Sequence, residues 1–158
     1  MLLNDEVKML RQVPIFAGMA AAKLRLLAYT SDRVAYRSGE VLFHQGDDGD
    51  AAYVILQGQA DVMVTTPQGE LRVAQVAENA MVGEIAILCD VARTATVRAV
   101  TPVEALRISK ENFVKLLMDF PEMTLEIVRV LAARLSDTTA TLSAELAAAR
   151  HSANHSIH

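Results

Sequence analysis

Three residues near the middle of the chain have the types and spacing to bind an anion. Gly83, Glu84 and Arg93 lie within residues 82–97, VGEIAILCDVARTATV. Gly83 permits a tight turn and a close approach of the backbone to a ligand. Residues 84–88 can form about one helical turn, whose first N–H groups lack partners within the helix and attract phosphates. Arg93 follows ten residues after Gly83 and can place a guanidinium beside the same anion.

Glu84 needs a different role, because a carboxylate accepts hydrogen bonds and repels a phosphate. It suits a sugar hydroxyl, which can donate to it. A phosphate and a ribose hydroxyl held by one short loop describe a nucleotide whose phosphate folds back onto its sugar. Taken singly, Glu84 can also be a surface carboxylate at a helix start, and Arg93 a solvated surface arginine. Their combination with Gly83 favours the ligand-binding interpretation.

The motif in residues 82–97, called the cassette below, is similar to that of a known family. Gly-Glu-x-Ala-x-Leu followed by Arg-Thr-Ala-Thr-Val resembles the phosphate-binding cassette of cyclic nucleotide-binding domains, found in cAMP receptor proteins, cyclic-nucleotide-gated channels and cyclic-nucleotide-dependent kinases. Two departures are visible: Ala92 stands where many members have proline, and residues 77–80 replace a glycine-rich turn. The resemblance covers residues 10–136 and implies an α+β fold, an eight-stranded antiparallel β jelly-roll barrel flanked by N-terminal and C-terminal helices.

The resemblance also implies a ligand, cAMP or alternatively cGMP, and roles for the matching positions. These positions are Gly83, Glu84, Ile85, Ala86, Arg93 and Thr94. The first four would supply backbone N–H groups and the ribose contact, and the last two would hold the cyclic phosphate. The Thr94 hydroxyl can also reach a guanine amino group, so it permits cGMP without requiring it.

The purine would need an apolar wall and a cover. Val62, Val73 and Val82 are predicted to form the wall. Arg134 stands, counted from the Pro121 that opens its helix, where channel-type members carry an arginine that meets the purine. The prediction is that this helix closes over the ligand as a lid.

Composition limits the class of protein. The chain has 158 residues, 52% of them hydrophobic, and a net charge of −4, which suits one domain and argues against nucleic-acid binding. The single cysteine, Cys89, excludes an intrachain disulfide and favours a reducing, cytoplasmic compartment. We expect no signal peptide, membrane span, metal or haem site, and the chain can be a fragment of a larger protein.

The pattern of hydrophobic residues changes twice along the chain. Helical spacing predicts helices within 3–30, at residues 3–11 and 20–29. Alternation then predicts a barrel over 31–109, with strands at residues 33–36, 41–44, 52–56, 60–65, 71–76, 94–100 and 103–108. Residues 110–150 are predicted to be helical, with an N-cap at Ser109, a break at Phe120-Pro121 and a bend at 136–139. The whole of 1–150 is predicted to be one cyclic nucleotide-binding domain, and 151–158 a disordered tail.

Two rival functions follow from the same residues. Catalysis is not expected, since no nucleophile elbow, P-loop or metal-ligand spacing is present. A DNA-reading transcription factor would need a helix-turn-helix beyond Arg150, and that part of the chain is short and not basic. The other rival is a ligand-free scaffold that pairs with a second copy or an unknown protein through its C-terminal helix. A seam through Val128, Leu131, Leu135, Thr138 and Leu142 would serve a homodimer, although Thr138 and Glu145 interrupt it and favour an amphipathic helix packed on its own barrel.

Overall fold

The amino-terminal helices form where the sequence predicts them. A computed structural model describes residues 3–156, and helix α1 spans Leu3–Arg11. A 3₁₀ turn at Pro14–Phe16 ends this segment, and Val13 before it is extended (φ −76°, ψ 122°), because proline disfavours helical backbone in the preceding residue. Helix α2 spans Ala21–Thr30. Its buried residues are those that helical spacing predicts, namely Leu24, Leu27 and Ala28.

Within residues 3–156, eight strands form two antiparallel sheets of four strands each, so the fold is α+β. The strands are β1 Asp32–Tyr36, β2 Val41–Phe43, β3 Ala51–Gln57, β4 Ala60–Thr66, β5 Gly69–Val76, β6 Met81–Val82, β7 Thr96–Ala99 and β8 Val103–Ser109. One sheet has the order β1-β8-β3-β6 and the other β2-β7-β4-β5. The chain therefore passes from one sheet to the other several times.

The two sheets differ in how much apolar surface they bury. β3 lies between β8 and β6 and is buried from Ala51 to Leu56, as its continuous apolar run predicts. β5 is an edge strand and is exposed along most of its length. The core cluster contains Leu42, Phe43, Ala51, Tyr53, Ile55, Ala60, Val82, Val97, Ala99, Val103 and Ala105.

Three strands differ from the prediction by two residues or more, and the first of them, β5, begins at Gly69 rather than at residue 71. β6 is not predicted, because two residues are too few for an alternating pattern to be visible. It exists because Val82 and Met81 pair with Tyr53 and Val54 of β3, a contact that local sequence does not encode. β7 begins at Thr96 rather than at residue 94, where the backbone still bends.

A short helix, α3, spans Glu84–Leu88, and α4 spans Lys110–Asp119. The predicted N-cap of α4 is confirmed, because the backbone N–H of Asn112 donates to Oγ of Ser109 at 3.2 Å, the arrangement of a serine cap.

Helix α5 is longer than the sequence predicts. It runs without interruption over Pro121–Ser156, so residues 136–139 form no bend. Residues 151–156, predicted to belong to a disordered tail, extend α5, while 157 and 158 lie outside the described residues. The physical reason is the alanine-rich stretch after Leu142, since alanine has the highest helix propensity and no proline or glycine follows. By its internal contacts the chain divides into one unit up to Asp119 and another from Phe120.

Candidate functional site

The segment from β6 to β7 takes the shape that its glycine allows. Gly83 is the N-cap of α3 and has a left-handed backbone (φ 85°, ψ 1°), which costs a residue with a Cβ roughly 1–2 kcal/mol. This turn redirects the chain from β6 directly into α3. Helix α3 ends where the backbone N–H of Cys89 donates to the Ile85 carbonyl oxygen at 2.9 Å.

The backbone of Arg93 is fixed to the loop between β2 and β3. Its N–H donates to the Asp47 carbonyl oxygen at 2.8 Å, and its carbonyl oxygen accepts from the Gly46 N–H at 2.9 Å. These paired bonds fix where the arginine side chain leaves the backbone.

The side chain of Arg93 points into the protein and is 1% exposed. Nη1 donates to the Gly83 carbonyl oxygen at 2.8 Å. Nη2 donates to the Ala51 carbonyl oxygen at 2.6 Å and lies 3.4 Å from Oδ1 of Asp50. The arginine thus joins the cassette to the start of β3.

Two aromatic rings lie against the same guanidinium. Cζ of Arg93 is 4.1 Å from the centroid of the Phe43 ring and 6.0 Å from that of Tyr53, within the range of cation–π attraction. The two rings are themselves 5.7 Å apart and tilted by 32°. One face of the guanidinium is therefore covered by Phe43.

One donor of this arginine is not satisfied. Among the residues that the structure describes, Nε of Arg93 is a buried side-chain atom without a hydrogen-bond partner. Burial lowers the pKa of Arg93 from its ordinary value, while Tyr53 and Asp50 oppose the shift. Since arginine stays protonated in proteins, the lowered pKa means that its buried charge is incompletely compensated. An anion at Nε would supply both the acceptor and the charge.

Two of the residues predicted for the cassette are in direct contact. Gly83 and Arg93 are in direct contact, and Glu84 is 4% exposed at the first position of α3. Ala86 is buried, whereas Ile85 is partly exposed and Thr94 is exposed.

The residues predicted to form the apolar wall and the cover over the purine lie in different environments. Val82 belongs to the core cluster and Val62 packs against it. Val73 on β5 is 54% exposed and is absent from that cluster. Arg134 is an exposed residue of α5, in the second unit.

The sequence did not reveal what surrounds Arg93. Phe43 appears there only as one apolar residue of a strand, and Ala51 contributes a carbonyl group that any residue type would provide. Asp50 carried a weak signal, as a carboxylate in a glycine- and aspartate-rich loop. It contacts Nη2 of Arg107 at 2.9 Å as well as Arg93.

A cavity of about 400 Å³ lies beside the cassette but does not include Arg93 or Glu84 among its lining residues. Four of its nine lining residues are acidic, and the lining consists of Asp48, Gly49, Asp50, Ala86, Asp90, Val91, Ala92, Lys110 and Glu111. Lys110 is 3.5 Å from Asp90. With four carboxylates and one lysine, this lining carries a net negative charge, which disfavours a phosphate.

Residues 3–156 lack two further kinds of feature. No group of three or more His, Cys, Asp or Glu side chains there is placed to hold a metal ion. Within the same residues, no helix has the length and hydropathy needed to cross a bilayer.

Comparison with known families identifies the domain. Residues 33–120, more than half of the chain, match the family model described as the cyclic nucleotide-binding domain. The chain belongs to the cyclic nucleotide-binding domain family. The match covers all eight strands apart from the first residue of β1, and it extends through α4.

Members similar to this chain occur in proteins of different design. A lysophospholipase of Neurospora crassa, nte1, is 31% identical over 103 residues, which are 65% of this chain and 7% of that protein. The chain thus spans a small fraction of the length of the curated relatives it matches. The catabolite activator protein of Thermus thermophilus is 28% identical, with a TM-score of 0.74 over 82% of this chain and 62% of its own.

A third structure supports the fold alone. The regulatory domain of Toxoplasma gondii PKA, crystallised with cAMP, is 21% identical, with a TM-score of 0.73 over 85% of this chain and 50% of its own.

Proposed function

We propose that this chain is a sensor module that binds cAMP through its cassette and passes the signal on through α5. cGMP is the alternative ligand. The observation that carries the proposal is the buried Arg93 guanidinium, whose Nε has no acceptor among the residues that the structure describes. In this proposal the two sheets are the walls of a jelly-roll barrel, and the module works in the cytoplasm.

The energetics favour an anion at this point. A buried donor without a partner costs about 1–3 kcal/mol, and a charged one more. Gly83, Ala51 and Asp50 accept from Nη1 and Nη2, so the ring-stacked guanidinium is held in place before the ligand arrives. A phosphate oxygen at Nε would complete the set of acceptors. Because the Arg93 side chain is only 1% exposed, the ligand reaches Nε only if neighbouring groups move. The bonds at Nη1 and Nη2 would hold the guanidinium in one orientation meanwhile, which reduces the entropy that binding would otherwise cost.

The remaining contacts are assigned by position in the cassette. The N–H groups of residues 83–86 and the Thr94 hydroxyl would complete the phosphate site. Glu84 would accept from the ribose 2′-hydroxyl. The apolar side chains of Val82 and Val62, which belong to or pack on the core cluster, would contact the base. Val73 would join them only if its exposed side chain becomes covered in the bound state.

The output is assigned to α5. Closure of this helix over the purine, with Arg134 meeting the base, would couple binding to movement. A ligand shifts such an equilibrium only by binding the closed state more tightly. Exposed apolar residues along α5, Leu125, Val128, Leu135, Leu142 and Leu146, are spaced so that two copies can pair in a coiled coil. The relatives of the chain are longer proteins, which is consistent with a sensor serving a larger protein or an unknown protein partner.

The second candidate is a scaffold that keeps the fold without a nucleotide. It is favoured by the occupied donors of Arg93, because bonds to the Gly83 and Ala51 carbonyl oxygens can serve the fold alone. The sensor would place a phosphate oxygen at Nε of Arg93, whereas the scaffold would leave Nε without an acceptor.

Titration calorimetry separates them. A sensor binds cAMP or cGMP with one site per chain and binds 5′-AMP much more weakly, because the cassette is shaped for a folded-back, singly charged phosphodiester. Absence of heat and of any rise in thermal stability with all three nucleotides would support the scaffold instead.

A further inference from the structure

Phe43 has a place in the site that goes beyond packing. Its ring lies 4.1 Å below Cζ of Arg93, and its Cε2 is 3.3 Å from the point where a Gly83 Cβ would stand. The ring is buried and belongs to the core cluster. It therefore contacts the arginine and lies beside the glycine turn, close to both of these cassette residues.

Three acceptors fix only part of the orientation of a planar guanidinium. Bonds to the carbonyl oxygens of Gly83 and Ala51 and to Asp50 limit its rotation within its own plane. All three acceptors lie at the Nη1 and Nη2 end, so tilting of the plane about that end is limited only by the angular tolerance of the N–H donors. The face of an aromatic ring fixes the tilt, since the attraction is greatest when the cation lies over the ring.

We propose that Phe43 is a positioning residue of the anion site, whose ring sets the plane of the Arg93 guanidinium so that Nε–H is the donor left for the ligand. This inference rests on the proposed function, because it concerns how a phosphate is received. The covered face also excludes approach from that side, so an anion must bind in the plane of the guanidinium, where hydrogen bonds are strongest.

The ring is itself held firmly enough for this role. Phe43 pairs with Val97 of β7, at a shift in the register between β2 and β7. Tyr53 of β3 packs against it with ring centroids 5.7 Å apart. Because β7 and β3 belong to different sheets, the ring is fixed from both.

A first measurement needs no ligand and uses a variant only to assign one signal. In the free wild-type protein, the Nε–Hε NMR signal of Arg93, assigned by its loss in Arg93→Lys, is expected to be shifted upfield by the ring current of Phe43. A signal at the position typical of an unstacked arginine would overturn the proposal.

A second measurement tests the consequence for binding. Phe43→Leu keeps an apolar side chain but removes the ring, and we expect it to weaken cAMP on the order of tenfold and to abolish the upfield shift. Phe43→Tyr keeps the ring and is expected to retain both. Leu42→Val, a change of similar kind at a buried neighbour on the same strand, is the control for packing and should leave the affinity and the signal nearly unchanged.

The outcomes separate the two claims. If wild-type protein binds cAMP and folded Phe43→Leu binds it equally well, the positioning role is wrong while the proposed function stands. If wild-type protein binds no cyclic nucleotide, the proposed function is wrong, and the ring-current shift still decides whether Phe43 orients Arg93.

Discussion

Arg93 occupies the space that a side chain at Gly83 would need. Nη1 of Arg93 lies 2.5 Å from the point where a Gly83 Cβ would stand, and the same nitrogen donates to the Gly83 carbonyl oxygen at 2.8 Å. The two residues that define the cassette motif are thus one structural unit before any ligand is present. The glycine is required twice, for its left-handed backbone and for its missing side chain.

Replacing that glycine should therefore cost more than backbone strain. We expect Gly83→Ala to lower the free energy of unfolding by about 2–4 kcal/mol, from left-handed strain together with displacement of the buried guanidinium, and to weaken cAMP. Denaturant unfolding and calorimetry measure the two effects.

Gly39 provides a matched control for this change. Its φ of +89° is close to the +85° of Gly83, but no atom of the described residues, apart from its chain neighbours, lies within 4 Å of its absent Cβ. Gly39→Ala should cost only the strain, roughly 1–2 kcal/mol, and leave cAMP affinity unchanged. Equal losses of stability in the two variants, with equal affinities, would show that the contact between Gly83 and Arg93 is unimportant.

Loss of the guanidinium should weaken binding more than it destabilises the fold. We expect Arg93→Ala to reduce cAMP affinity at least about tenfold, since a hydrogen bond to a charged group contributes roughly 1.5–3 kcal/mol. It should also lower the melting temperature, because the carbonyl oxygens of Gly83 and Ala51 lose their donors. Thermal unfolding and calorimetry on the same samples check both effects.

The control is Arg98→Ala on β7. Arg98 is a partly exposed cation 3.3 Å from Glu70, and such surface pairs contribute little to stability. The Arg98→Ala protein should bind cAMP like the wild type. A folded Arg93→Ala protein with wild-type affinity would remove Arg93 from the site.

The sequence predicted the cassette because its residues act through local geometry. A left-handed glycine, one turn of helix and an arginine ten residues later lie on one continuous segment, and their types restrict what they can do. The environment of Arg93 was not predictable in the same way, since Phe43 and Ala51 come from distant strands and carry no chemical signature. For the same reason β6 was missed, as its two residues depend on pairing with β3.

For helix α5, the local sequence predicted an interruption that the structure does not have. Residues 136–139 were expected to bend because Ser, Asp and Thr favour other conformations, yet α5 continues to Ser156. Local weakness over four residues does not end a helix that has strong alanine-rich turns beyond it.

Glu84 should discriminate ribose from deoxyribose. Glu84→Gln preserves the shape of the side chain but weakens its acceptor, so we expect reduced affinity for cAMP and nearly unchanged affinity for 2′-deoxy-cAMP. Competition between the two ligands, measured in wild type and variant, gives the ratio directly. An equal loss for both would assign buried Glu84 to the stability of α3 instead.

Movement of α5 should be visible in hydrogen exchange. If the helix closes over the ligand, amides of residues 121–135 gain protection when cAMP is added, and Arg134→Ala reduces that gain. Amides of α1 serve as the internal reference. Slowed exchange in the cassette alone, with residues 121–135 unchanged, would mean that the signal leaves by another route.

The proposed function requires the cyclic phosphate to bind at Nε of Arg93, the donor that lacks an acceptor among the described residues. The most direct measurement is a crystal structure of the full chain grown with excess cAMP. We expect a phosphate oxygen within about 2.7–3.2 Å of Nε, with Nη1 and Nη2 still bonded to the Gly83 and Ala51 carbonyl oxygens. A nucleotide bound elsewhere, or an Arg93 whose Nε remains without an acceptor at saturating cAMP, would contradict it.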